Sequence, residues 1–255
     1  MDRKYIFFDY DGTLRSRSLD AVPESAQLAL KLLQEAGHFT ALATGRLQKD
    51  ALRHLGGTGI TSFVADGGNS ITIDGELVWM EGMPLEPCKR FLHWLDERDK
   101  PWAVMVDNEL ERYTRDGRFD ALTNDEFFHT NIDPTLDVDS FDVVHKIFVP
   151  CEPGEEKSFE FFGVTYARYL PTLIYCEPTN KSYGIKKLMD MFDAPYGDVI
   201  VFGDGTNDES MFIPEWTSVA MGNAVDSLKA KADLVAPHID EDGVYLACRE
   251  LGLIP

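Results

Sequence analysis

From residue 1 to about 82 the chain alternates short apolar runs with amphipathic stretches, the pattern of βα units around a parallel sheet. Tyr5 to Phe8 is apolar without polar alternation, as expected of a strand covered on both faces. The stretch SAQLALKLLQEAG carries Leu28, Leu32 and Leu33 at helical spacing and stops at Gly37, a residue suited to a C-terminal cap. Phe39 to Ala43 reads as a second strand, Arg46 to Leu55 as a helix and Ser62 to Ala65 as a short strand. ITIDGELVW reads as a hairpin, because Asp74-Gly75 suits a tight turn between alternating residues.

The character changes at GMPLEP, punctuated by Pro84 and Pro87, and again at CEPTN, punctuated by Pro178. Between them the pattern predicts a helix from Cys88 to Arg98, a hairpin across VMVDNELERY, a strand at VHKIFVP and strands in TYARYLPTLIYCEP. This is a mixed α+β stretch of domain size, about 95 residues long. Afterwards the βα style resumes with a helix from Ser182 to Phe192, a strand from Val199 to Phe202 and a helix after Asp208. Strands from Thr217 to Met221 and from Ala232 to Ala236 follow. The expected architecture is a Rossmann-like, doubly wound α/β core formed by residues 1–82 and 178–255, with 83–177 inserted as a second domain. An insertion on two linkers is able to hinge and to close over the carboxyl edge of the sheet.

Composition narrows the function. With 44% hydrophobic and 27% charged residues the chain is an ordinary globular protein rather than a disordered one. Its 24 basic and 44 acidic residues leave a formal charge of −20, which repels a phosphate backbone and argues against a nucleic-acid partner. No apolar stretch matches a signal-peptide core or a membrane span, so no membrane association and a cytoplasmic location are expected. Cys88, Cys151, Cys176 and Cys248 are far apart and form no CxxC pair, so they read as buried small hydrophobes. There is no GxxxxGK[ST] phosphate loop.

The apolar run at the start ends in two acids, IFFDYDGT, and strand periodicity allows Asp9 and Asp11 to share one face. Thr44 and Gly45 follow the second strand, and Asp204 follows VIVF. If these strands are parallel neighbours, all of these residues gather at one carboxyl edge, where open α/β sheets bind ligands, and Asp208 adds a fourth carboxylate. So many acids coexist by holding a hard cation, and Mg²⁺ suits a site that also takes a phosphate. Four carboxylates against one divalent cation and Lys181 leave a single formal negative charge. If one aspartate keeps its proton the pocket is neutral; Asp11 is the candidate, because Asp9 must be ionised to attack. Arg46 is read as a surface residue at a helix start, and Asp208 has a plain alternative as a helix cap.

DYDGT at 9–13, ATGR at 43–46, Lys181 at a helix start and GDGTNDESMF at 203–212 resemble, in order, the four motifs of the haloacid dehalogenase superfamily of phosphatases. The insertion between the second and third motifs, with AMGNA at 220–224 and EDGVY at 241–245, is similar to the Cof-type branch with its large α/β cap. DGGN at 66–69 departs from that branch, which more often begins this loop with asparagine. The resemblance implies a Mg²⁺-dependent phosphohydrolase of small phosphorylated metabolites, with a sugar phosphate first among them. Asp9 would be the nucleophile that forms an aspartyl phosphate, and Asp11 the acid and base. The metal would be held by Asp9, the backbone carbonyl of Asp11 and Asp204, with Asp208 supporting. Thr44, Gly45 and Lys181 would hold the phosphoryl oxygens and Asn207 would brace the site. A phosphomutase of the same superfamily and a non-catalytic metabolite-binding module are the alternatives. The chain is expected to be a monomer or a weak homo-oligomer.

Overall fold

The first apolar run forms β1 (Tyr5–Phe8), and its side chains divide between two cores. Ile6 and Phe8 enter one and Phe7 the other, so the strand is apolar throughout because both of its faces are covered. The computed structural model describes residues 2–123 and 125–255. After β1 come α1 (Glu24–Glu35), β2 (Phe39–Ala43), α2 (Gln48–Arg53), β3 (Ser62–Ala65), β4 (Ser70–Ile73) and β5 (Glu76–Met80). The next elements are α3 (Leu85–Asp96), β6 (Ala103–Met105), β7 (Glu111–Thr114), α4 (Arg118–Thr123) and β8 (His129–Ile132). β9 (Lys146–Pro150), β10 (Tyr166–Leu170) and β11 (Leu173–Cys176) follow. The chain continues with α5 (Lys181–Met191), β12 (Val199–Gly203), β13 (Thr217–Ala220), α6 (Asp226–Lys229), β14 (Leu234–Val235) and α7 (Gly243–Glu250). It divides into two compact units, Met1–Trp79 with Asn180–Pro255, and Met80–Thr179.

The first unit is built on a sheet of order β14-β13-β12-β1-β2-β3-β4-β5. The pairs from β14 across to β3 are parallel, and β4 pairs antiparallel with β3. One face packs Leu42, Phe63, Phe202 and Val219 against Ala29, Leu30 and Leu33 of α1 and Val244, Ala247 and Cys248 of α7. The opposite face packs Ala41, Val64 and Val201 against Ile185, Leu188 and Met189 of α5. This is a doubly wound α/β core. β4 turns at Asp74 and Gly75, both at positive φ (49° and 84°), as a two-residue hairpin turn requires.

The second unit carries a six-stranded sheet of order β10-β11-β9-β6-β7-β8, antiparallel except between β7 and β8. Cys88, Phe91, Leu92 and Leu95 of α3 pack against Val104, Ile147, Val149 and Ile174 of that sheet. Strand alternation sends Lys146 to the other face from Ile147, and the buried Lys146 is paired with the buried Glu177. Arg112, also fully buried, is compensated by Asp125 and lies over the ring of Phe119.

Four local expectations are corrected. In α1 the buried stripe is Ala26, Ala29, Leu30 and Leu33, whereas Leu28 lies on the opposite side and is exposed. α2 starts at Gln48 rather than Arg46, because the Gln48 N–H donates to the Asp66 carboxylate at 3.0 Å and sets the first turn there. Among the described residues no α-helix begins directly after Asp208. Thr206–Met211 is a 3₁₀ turn, and the Asp208 side chain returns to the backbone ahead of it. α7, which packs with α1 on one face of the sheet, is not among the helices expected from the sequence. The four cysteines are buried and free. Among the described residues no helix is long and apolar enough to cross a membrane.

Candidate active site

β1 lies between β12 and β2 in parallel register, so the residues leaving these strands emerge at one edge. Asp9 follows β1, and its N–H donates to the Phe202 carbonyl at 2.9 Å, extending the pairing by one residue. Thr44 follows β2, and Asp204 follows β12. Lys181 opens α5 and is 1% exposed. That helix comes close because two glycines permit it. A Cβ on Gly68 would strike the Asn180 carbonyl oxygen, and one on Gly184 would lie 2.5 Å from the Gly68 carbonyl oxygen. Thus the DGGN loop has a packing role: it seats the helix that delivers Lys181.

The Lys181 ammonium donates to Asp9 Oδ1 and to Asp208 Oδ1, both at 2.6 Å. The other oxygen of Asp208 accepts the N–H groups of Asp204 and Gly205, each at 2.9 Å, so both of its oxygens are engaged. Carboxylate oxygens of Asp9, Asp204 and Asp208 lie within 4.8 Å of one another. Thr13 donates its hydroxyl to Asp204 Oδ1 at 3.1 Å. Between them stands Gly12 at φ +98°, where a Cβ would collide with the Asp204 carboxylate. The residue between Asp11 and Thr13 therefore has to be glycine on both conformational and steric grounds.

Electrostatics follow from the burial. Desolvation, with Asp208 adding to it, pushes Asp9 up to about 7 although Lys181 pulls the other way. Asp204 is pushed up to about 6, again by burial first and Asp208 second, with the Thr13 hydroxyl opposing. Burial acts against the charge on Lys181, but Asp208 and Asp9 outweigh it, and its pKa is raised. The cluster thus holds more negative charge than its one lysine balances, the condition under which a cation or a proton is drawn in.

The other expected residues are placed as follows. Thr44 is buried, and its Oγ1 accepts the N–H of Arg46 at 3.1 Å. Gly45 lies between them in the turn, and Asn207 is exposed in the 3₁₀ segment beside Asp208. Asp11 departs from its expected placement. β1 ends at Phe8, strand alternation does not carry on to residue 11, and the Asp11 carboxylate stands outside the three-acid group. It is gripped instead by Arg46, whose Nε donates to Oδ2 at 2.8 Å and whose Nη2 donates to Oδ1 at 3.1 Å. Arg46 is therefore no plain surface residue. The signal for it in the sequence is Asp50 four residues on, which pairs with it at 2.7 Å. Asn223 lies in AMGNA, which is read from sequence as a motif but with no contact assigned to this residue. Its Nδ2 donates to the Gly12 carbonyl at 2.7 Å and its Oδ1 accepts the Ile239 N–H at 3.1 Å, tying the first loop to the last. Its position just past β13 carries the same strand-end signal as Asp204.

The carboxyl edge of the doubly wound sheet thus gathers an aspartate, a lysine and two further carboxylates. A profile of the haloacid dehalogenase-like hydrolase family matches residues 6–247. Bacillus subtilis YkrA is 31% identical over 270 residues, covering 100% of both chains. The phosphoglycolate phosphatase of Nitrosopumilus maritimus is 26% identical, covering 100% of this chain and 98% of its own. Among solved structures, the subclass IIB sugar phosphatase BT4131 superposes with a TM-score of 0.76 at 26% identity, covering 98% of this chain and 100% of that one. The chain belongs to the haloacid dehalogenase-like hydrolase family, in its Cof-type branch, and is a phosphatase.

Proposed function

We propose that the protein is a Mg²⁺-dependent phosphomonoesterase that removes phosphate from a small phosphorylated metabolite, a sugar phosphate in the first instance, through an aspartyl phosphate on Asp9. The observation that carries the reading is the buried Asp9 carboxylate held 2.6 Å from Lys181 beside Asp204 and Asp208. The sugar preference is supported by the likeness to BT4131, a sugar phosphatase.

The donor set fits a hard divalent cation. It is all oxygen, it gathers three carboxylates within 4.8 Å, and two of them have pKa values raised by burial first and by the neighbouring Asp208 charge second. Asp9, Asp204 and the main-chain carbonyl of Asp11 would hold the ion, with Asp208 fixing Lys181 and the 204–205 backbone behind them. When bound, the ion would neutralise charge on the phosphoryl oxygens and orient them. The chain's own groups do the rest. Asp9 attacks phosphorus as the bond to the leaving oxygen breaks, and Asp11 gives that oxygen a proton. Asp11 then takes a proton from water, whose oxygen displaces Asp9 and leaves as part of inorganic phosphate. Lys181 and Thr44 bind the phosphoryl oxygens through this exchange.

Turnover of a panel of phosphate esters with Mg²⁺ in ¹⁸O-labelled water tests the reading. The expected result is free phosphate carrying one solvent oxygen, and a sugar phosphate among the best esters. Movement of phosphate between sugar positions without labelled free phosphate would show a mutase, and no turnover of any ester would leave a binding module.

A pH effect follows from the raised acids. In the cation-free protein the stability contributed by protonated Asp9 and Asp204 is complete below their ordinary value of 3.8 and is lost as pH rises through about 6 and about 7. Because Mg²⁺ binds the ionised form, it should raise Tm more at pH 7.5 than at pH 5. Scanning calorimetry with Mg²⁺ and with chelator at both pH values measures this, and equal shifts would contradict it.

A further inference from the structure

We propose that Arg46 is the positioning residue for the Asp11 carboxylate, so that the loop which binds the phosphoryl group also aims the group that moves the proton. The inference rests on the acid–base reading of Asp11. Asp11 lies past the end of β1, in an isolated bridge with Arg15 that fixes its main chain but not its carboxylate, and the side chain is 34% exposed. A carboxylate so placed has rotamer freedom unless something holds it.

What holds it is a fork. Nε of Arg46 donates to Asp11 Oδ2 at 2.8 Å, and Nη2 donates to Oδ1 at 3.1 Å while lying 2.8 Å from Oδ2, so two nitrogens straddle the carboxylate and fix it in place. An exposed ion pair of this kind would count for little if the arginine were itself free. It is not. Arg46 Nη1 donates to Asp50 Oδ2 at 2.7 Å, and the Asp50 side chain is only 6% exposed. His54 Nε2 lies 3.3 Å from the same nitrogen, and its Nδ1 is 2.8 Å from the Asp50 carbonyl oxygen. The guanidinium also lies 5.6 Å from the centre of the Tyr10 ring, the residue between the two acids. Its main chain is fixed as well, through the N–H donated to Thr44 Oγ1. Arg15 adds a second contact to Asp11 at 3.3 Å, but it is single-point and shared with the exposed Asp20. An unbroken series of charge contacts therefore runs from buried Asp50 through Arg46 to Asp11.

The test reads kcat/KM, which covers only the steps through departure of the leaving group. Two esters are compared with Mg²⁺ present: 4-nitrophenyl phosphate, whose leaving group departs unprotonated, and glucose 6-phosphate, whose leaving group needs the proton. Arg46→Ala should lower kcat/KM for the sugar ester by about 10- to 100-fold and for the aryl ester by less than about 3-fold. Retained aryl activity also shows that the variant is folded. Arg46→Lys, which keeps the charge but not the fork, should follow Arg46→Ala rather than wild type. Added to Asp11→Asn, Arg46→Ala should cost nothing more on the sugar ester, because the group it aims is already gone. Equal losses on both esters, full activity in the lysine variant, or additive losses in the double variant would each overturn the proposal, as would faster turnover of the sugar ester. If Asp11→Asn alone lowers kcat/KM for both esters alike, the failure lies in the acid–base reading beneath it.

Discussion

Asp9→Asn should abolish turnover of every ester, whatever its leaving group, because Asp11, the next carboxylate after β1, is held by Arg46 outside the three-acid group. Asp11→Asn should divide the reaction instead. Without a proton donor, alkyl esters should stall before phosphoryl transfer, while an aryl phosphate still phosphorylates Asp9. Release should then be slow, since the group that deprotonates water is missing. Intact mass taken seconds after mixing with 4-nitrophenyl phosphate should show one phosphoryl adduct on the Asp11 variant and none on the Asp9 variant. The reverse pattern, or an adduct mapped to another residue, would mean that the roles are misassigned.

Lys181→Met should damage folding as well as catalysis. The ammonium is 1% exposed and touches Asp9 and Asp208 at 2.6 Å, so its removal leaves two buried carboxylates facing each other with no counter-charge. Breaking a buried pair in this way costs about 3–5 kcal/mol. Mg²⁺ should return part of that loss, because it supplies positive charge to the same oxygens, whereas activity should stay undetectable. Urea denaturation with Mg²⁺ and with chelator measures both effects. A loss below about 1 kcal/mol would show that the cluster does not depend on its lysine.

Much of this was legible in the chain because the strong signals are local. Continuous apolar runs such as Tyr5–Phe8 mark strands buried on both faces, and the residues that follow them are brought to one edge by parallel pairing alone. What escaped reading depends on contacts distant in sequence. The true start of α2 is set by Asp66 from another loop. The Asp11 carboxylate is hydrogen-bonded to Arg46, 35 residues on, a contact that strand periodicity does not show. Leu28 satisfies helical spacing as well as Leu33 does, and the packing of α1 against the sheet and α7 decides which stripe is inward. Asn223 has an ordinary strand-end position, and nothing in the local pattern shows that its partner is the carbonyl of Gly12, 211 residues earlier.

The pairing of β1 with β12 has a consequence for how the molecule is made. Tyr5 meets Val199 and Phe8 meets Phe202, so on the ribosome the first strand has one neighbour available early, β2, while its other edge waits for nearly two hundred residues. Until then the amides on that side are unpaired and Ile6, Phe7 and Phe8 lie at an open sheet edge, a state prone to wrong pairing. The second unit, Met80–Thr179, emerges complete during that interval. Lys181 and Asp9, 172 residues apart, can meet only once α5 and β12 have docked, which makes assembly of the active site a late event of synthesis and one of high contact order.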